Sequence, residues 1–139
     1  MANNLPIYTK IADVQWSTSA ATANTTADLT AGTSFQCFSA DTTQGGYVQR
    51  IRFRTLGTNL AATVARVWIN NGNTTATAAN NTLWDEITLP ATTVSQVAAQ
   101  ANYELPLNLA LPPSYRLFIT LGTAPNAAGW MATVIGGKY

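Results

Sequence analysis

The chain predicts an all-β protein, an antiparallel two-sheet sandwich, and three observations lead there. Segments rich in β-branched and aromatic residues recur, separated by Gly, Pro and Asn. No long stretch carries an apolar period of 3.6 residues. Thr, Asn, Ser and Gln carry the polar surface, since only 9% of the 139 residues are charged against the quarter or so usual in soluble domains. With about seven or eight short strands, a jelly roll of two four-stranded sheets is the first expectation and an immunoglobulin-like sandwich the alternative.

The first thirty residues stand apart from the rest. Leu5, Ile7, Tyr8, Ile11, Val14 and Trp16 make the opening stretch apolar enough to lie as an arm on this subunit or a neighbour, or to form a plain first strand. Residues 17–26 are almost wholly Ser, Thr, Ala and Asn, a low-complexity stretch with nothing to fill a core. Residues 1–30 are therefore an N-terminal arm or first strand with its linker, and residues 31–139 the β-sandwich domain.

The domain opens on Ser34-Phe35-Gln36-Cys37-Phe38, a short aromatic strand in which Cys37 is a small buried hydrophobe. After Gln44-Gly45-Gly46, residues 47–55 alternate with Tyr47, Ile51, Phe53 and Thr55 on one face and Val48, Arg50, Arg52 and Arg54 on the other. Residues 63–70 form the next β-rich run and end in Asn70-Asn71-Gly72-Asn73, whose Asn-Gly pair suits positive φ in a tight turn. Residues 82–89 place Leu83, Ile87 and Leu89 inward, and Pro90 stops them. Residues 93–101 fit a helical face through Val94, Val97, Ala98 and Ala101, but Thr93, Val94 and Val97 favour a strand. Residues 103–111 align Leu105, Leu107, Leu109 and Leu111, with Pro106 marking an edge or bulged strand. Pro112-Pro113-Ser114 turns the chain into a strand over 115–121, and the last strand runs from Trp130 to Ile135 before Gly136-Gly137.

Catalytic chemistry finds little to use. The chain has no His, which removes the usual proton shuttle, the commonest metal ligand and the ordinary serine and cysteine triads. Cys37 is the sole cysteine and has no partner for a disulfide or a thiolate metal site. Asp85 and Glu86 are adjacent on a strand, so their side chains face opposite ways and cannot act as a dyad. Asp13, Asp28, Asp41 and Glu104 are scattered without a calcium-loop spacing. Lys10 and Lys138 sit near the ends of the chain, and the glycine pairs lack the context of a phosphate loop. The expectation is a non-enzymatic protein with no cofactor and no metal.

Net charge is +1, so no general field draws in nucleic acid or acidic lipid, and weak self-repulsion favours assembly. No apolar run approaches the roughly 18 residues of a membrane span, and the start lacks the basic and apolar regions of a signal peptide. Synthesis in a cytoplasm follows, with neither membrane nor nucleic acid as partner.

The candidate functional surface is the ladder of Arg50, Arg52 and Arg54, which holds three of the seven cations with guanidiniums about 7 Å apart. It is either an interface stripe that pairs with carboxylates or phosphates, or a solvated outer face. Among the aromatics, Trp68 and Trp84 lie inside strand runs and are assigned to packing. Trp16, Trp130 and Tyr139 flank polar or glycine-rich segments and are the candidates for exposure, joined as contact residues by Ile7 and Tyr8 of the arm.

Val67-Trp68-Ile69-Asn70-Asn71-Gly72, then Leu105-Pro106-Leu107-Asn108-Leu109-Ala110-Leu111-Pro112-Pro113-Ser114-Tyr115-Arg116-Leu117, and a close at Gly136-Gly137-Lys138-Tyr139 resemble small structural proteins of tailed bacteriophages. Within that group the likeness is to the jelly-roll cement, or decoration, proteins of the capsid. It covers roughly residues 33–139, and Ser114 stands where a glycine is expected in the turn. The resemblance implies a protein made in the host cytoplasm and carried on the virion. There it binds the major capsid protein at subunit junctions, as a homodimer or homotrimer, and stabilises the phage head. The same residues suit a tail or fibre component, or a carbohydrate-binding head module whose aromatics meet a glycan.

Overall fold

Eight strands follow in chain order: β1 (Ile11–Trp16), β2 (Phe35–Ser39), β3 (Gly46–Thr55), β4 (Thr63–Asn70), β5 (Asn81–Leu89), β6 (Tyr103–Leu111), β7 (Arg116–Leu121) and β8 (Trp130–Lys138). They come from a computed structural model that describes residues 9–58 and 61–139. The only helix among the described residues is a 3-10 turn at Ala78–Asn80. Sheet A has the order β1-β8-β3-β6 and sheet B the order β2-β7-β4-β5.

The pairing identifies the topology. β1 pairs with β8, β2 with β7, β3 with β6 and β4 with β5, all antiparallel. This nesting is a long hairpin with its tip between β4 and β5, rolled so that its strands fall alternately into two sheets. It is the eight-stranded jelly roll. The seven-stranded immunoglobulin arrangement of four strands against three does not describe it.

The inner faces interdigitate to form one core. Val48, Ile51, Phe53, Ala132, Val134 and Trp130 come from sheet A, and Phe38, Val67, Leu117, Ile119 and Leu121 from sheet B. Leu107 and Leu111 of the edge strand β6 are buried with them, and Leu105 and Leu109 pack against the cluster, as the leucine alternation predicts. Cys37 is buried there too, its Sγ 3.5 Å from the carbonyl of Leu117. Along one seam the two sheets are laced by a side chain. The Gln15 amide donates to the Ser39 carbonyl and accepts from the Ser39 N–H, each at 2.9 Å, as a neighbouring strand would.

Four register shifts interrupt the pairing. In β3, Val48 pairs with Gly136 but Arg50 pairs with Ile135, so Gln49 is an extra residue relative to β8. The shift reverses the side-chain phase. Val48 therefore points inward with Ile51 and Phe53, not outward with the arginines as simple alternation predicts. On the other side of β3, the added residue belongs to β6, where Asn108 takes a φ of 47°, a conformation that Asn tolerates. In β5, Val67 pairs with Asp85 and Trp68 with Leu83, which makes Trp84 the extra residue. Leu83, expected inward, is turned to the outer face of sheet B at 45% exposure, and Trp84 is 47% exposed instead of packed. The fourth shift brackets Cys37, so that Cys37 and Phe38 are both buried.

Two other expectations are corrected. Residues 93–101 form no strand, and Val97 is almost fully exposed, because no neighbour pairs with them. The low-complexity stretch does contribute buried residues. Ala20 bridges to Trp130, Ala23 bridges to Leu121, and the buried Asn24 amide donates to the carbonyls of Asp28, Ala31 and Thr33. That polar knot seats Leu29 over Trp68 and Phe118, a second small cluster outside the main core. Trp68 is buried in it, with its indole N–H donating to Thr120 Oγ1 at 3.0 Å.

Candidate functional site

The outer face of sheet A collects most of the residues singled out from the sequence. Directly paired residues point to the same side of an antiparallel sheet, so the register defines rows across it. One row runs Trp16, Thr133, Arg52, Glu104, and the next runs Val14, Ile135, Arg50, Pro106. A third contains Ala12, Gly137, Tyr47 and Ala110, and Arg54 sits beside Met131 at the opposite end. Trp16 on the edge strand is 63% exposed, and Val14, two residues before it on the same face, is exposed as well. The face thus joins an apolar edge to a cationic centre.

The arginine ladder is not a free stripe of charge. Arg52 donates through Nε to Glu104 Oε1 at 2.6 Å, and Arg50 Nε lies 3.7 Å from Glu104 Oε2. One carboxylate therefore hydrogen-bonds Arg52 and lies within ion-pair distance of Arg50, whose buried Nε has no hydrogen-bond partner among the described residues. Arg54 has no carboxylate within reach among the described residues. It donates to Asn102 Oδ1 at 2.6 Å and to the Gln100 carbonyl at 3.3 Å. The three arginines and Glu104 leave two positive charges on the face, with the Arg52 and Arg54 side chains held in defined directions by hydrogen bonds. Such held, half-buried guanidiniums lose less entropy when a partner carboxylate arrives.

Other predicted residues fall elsewhere. Trp130, expected at the surface, is fully buried. It begins β8 on the inner face and meets Tyr103 edge-on, ring centroids 5.6 Å apart. The flanking polar loops that marked it as exposed fold over it through the Ala20 bridge. Tyr139 follows β8 and is half-buried. Ile7 and Tyr8 lie outside the described residues. The sequence alone does not join Glu104 to the ladder, because only the β3–β6 register places it opposite Arg52.

Among the described residues, no group of three or more His, Cys, Asp or Glu side chains is gathered as a metal would require. Burial pushes the Cys37 thiol up to about 12, far from the range of a nucleophilic thiolate. No family model matches the chain, and no curated protein or solved structure is significantly similar to it.

Proposed function

We propose that this chain is a non-enzymatic structural protein of a virion. It acts as a capsid decoration protein, binding the major capsid protein at subunit junctions and stabilising a phage head from outside. The observation that carries the reading is the single row holding exposed Trp16 and braced Arg52 on one rigid sheet. Trp and Arg dominate the energetics of protein interfaces, and a sheet face holds both without the ordering cost of a loop. Near-zero net charge favours the same outcome through many-copy assembly and self-association as a dimer or trimer. No cofactor, nucleic acid or membrane enters the mechanism. The protein is made in the host cytoplasm and ends on the capsid surface.

Mixing purified protein with undecorated capsids tests this directly, with co-sedimentation as the readout and light scattering to give the free oligomer. Stoichiometric binding is expected, and the triple variant Arg50→Ser, Arg52→Ser, Arg54→Ser should fold yet stay in the supernatant. Unaltered binding of the triple variant removes this face from the proposal. Two exposed indoles, Trp16 and Trp84, favour a second reading, a glycan-binding head of a tail or fibre. It requires saturable quenching of Trp fluorescence by a sugar, and a glycan array without hits rejects it.

A further inference from the structure

Between the start of β4 and the end of β7, at one end of sheet B, an open groove of about 380 Å³ is lined by Ala62, Val64, Arg66, Thr88, Gly122 and Thr123 among others. Its one charged lining residue is Arg66, whose side chain is about four-fifths buried. Arg66 and Glu86 are cross-strand partners, and Arg66 Nε donates to Glu86 Oε1 at 2.8 Å. That bond uses one of the five N–H groups of the guanidinium. Nη1 and Nη2 donate to no atom among the described residues. They lie over Gly122, where an added Cβ would be 3.5 Å from Nη1 and 3.8 Å from Nη2. A partly buried arginine is thus fixed by one edge while its other edge, a two-nitrogen fork, remains unspent at the groove.

The surroundings narrow the ligand. Glu86 already neutralises Arg66, so the groove has no net charge to hold a phosphate dianion, and what the free fork offers is a pair of parallel N–H donors, the pattern that a carboxylate accepts. Among the described residues, the lining includes no aromatic platform on which a sugar ring stacks. Ala62 and Val64 offer an apolar wall for a short aliphatic stem. Thr123 Oγ1 donates to the Ala62 carbonyl at 2.8 Å, so its lone pairs remain free to accept an N–H. The volume is at the low end of ligand pockets, the size of one side chain with its flanking backbone.

We propose that this groove receives the carboxylate of a glutamate side chain from an acidic polypeptide segment. The Arg66 fork takes the two carboxylate oxygens, the stem packs on Ala62 and Val64, and Thr123 accepts from the backbone of the ligand. The site uses sheet B alone and does not depend on the capsid reading of sheet A.

The test titrates the isotope-labelled full chain with blocked tetraglutamate, following backbone amide shifts and the Arg66 Nε–H. Saturable shifts at Thr63, Arg66, Gly122 and Thr123 are expected, with none from blocked tetraglutamine. Arg66→Lys keeps the charge but loses the fork, and should weaken binding about tenfold. Glu86→Gln removes the competing carboxylate and should tighten it. Gly122→Ala, whose methyl fits at ordinary contact distance, should weaken binding without moving the melting temperature. It also guards against Arg66→Lys failing to fold. No saturable shift at millimolar peptide, equal shifts from tetraglutamine, or tighter binding of glucuronate than of the peptide would each overturn the proposal.

Discussion

Gly136 on β8 lies against the carbonyl oxygen of Tyr47 on β3, so close that a Cβ on Gly136 would overlap it. The contact stands beside Gln49, the residue that reverses the phase of β3 and so directs Val48 inward and the arginines outward. Gly136→Ala must push two central strands apart at that point. A loss of about 2–3 kcal/mol in urea unfolding is expected, the cost of overpacking a site with no room to relax. A loss below about 0.5 kcal/mol would show that the strands separate freely and that the bulge does not depend on the glycine.

Cys37 makes the fold sensitive to alkali. Its thiol is raised from about 9 to about 12 by burial, so the folded state holds a proton that the unfolded state releases. The stabilisation is complete below pH 9 and is lost as pH rises toward 12. The slope from this one group approaches about 1.4 kcal/mol per pH unit. Urea midpoints taken between pH 8 and 11 should fall more steeply in the wild type than in Cys37→Ala, whose loss on cavity formation is independent of pH. Parallel curves would mean that the thiol ionises in place. The same burial predicts that iodoacetamide modifies Cys37 only on unfolding.

The tryptophans separate into an exposed pair and a packing pair. Trp130→Ala empties a fully buried site at the start of β8 and should cost about 3–5 kcal/mol. Trp16→Ala lies on the solvent side of β1 and should change stability by no more than about 0.5 kcal/mol while reducing capsid binding. Acrylamide should quench Trp16 and Trp84 and spare Trp68 and Trp130. A destabilised Trp16→Ala with full capsid binding would reverse the assignment.

The strands were legible because period-two alternation and Gly, Pro and Asn punctuation are local signals. Residues 63–70 and 103–111 needed no partner to be recognised. The misplacements of Val48, Leu83 and Trp84 share one cause. A bulge changes phase by one residue, and only the neighbouring strand reveals which residue is surplus. Trp130 and the stretch after Trp16 failed for a different reason. Ala20 is small and Asn24 polar, so nothing in their composition announces that backbone pairing will carry them over a tryptophan and a sheet end. The arginine ladder was visible, but its brace was not, since Glu104 lies 52 residues beyond Arg52. The Arg66 groove was equally hidden, as it is assembled from β4, β5 and the end of β7.

Asp41 ties the turn between β2 and β3 to the loop before β7. Its carboxylate accepts from the N–H groups of Gln44 and Thr43 at 2.9 and 2.8 Å, while its carbonyl accepts from Gly45 and Ser114. The hydrogen bonds from Gln44 and then Thr43 hold the carboxyl below its ordinary 3.8. A carboxylate lowered in the folded state contributes stability above its unfolded value, and that contribution is lost as pH falls below about 3.8. Asp41→Asn keeps an oxygen for both N–H groups and removes the titration. Urea midpoints between pH 5 and 2 should therefore fall less steeply in the variant, with the two proteins converging at the acid end. A variant that follows the wild-type slope throughout would place the acid sensitivity in another carboxylate. Asp28 is the next to replace, lowered by the N–H and hydroxyl of Thr30.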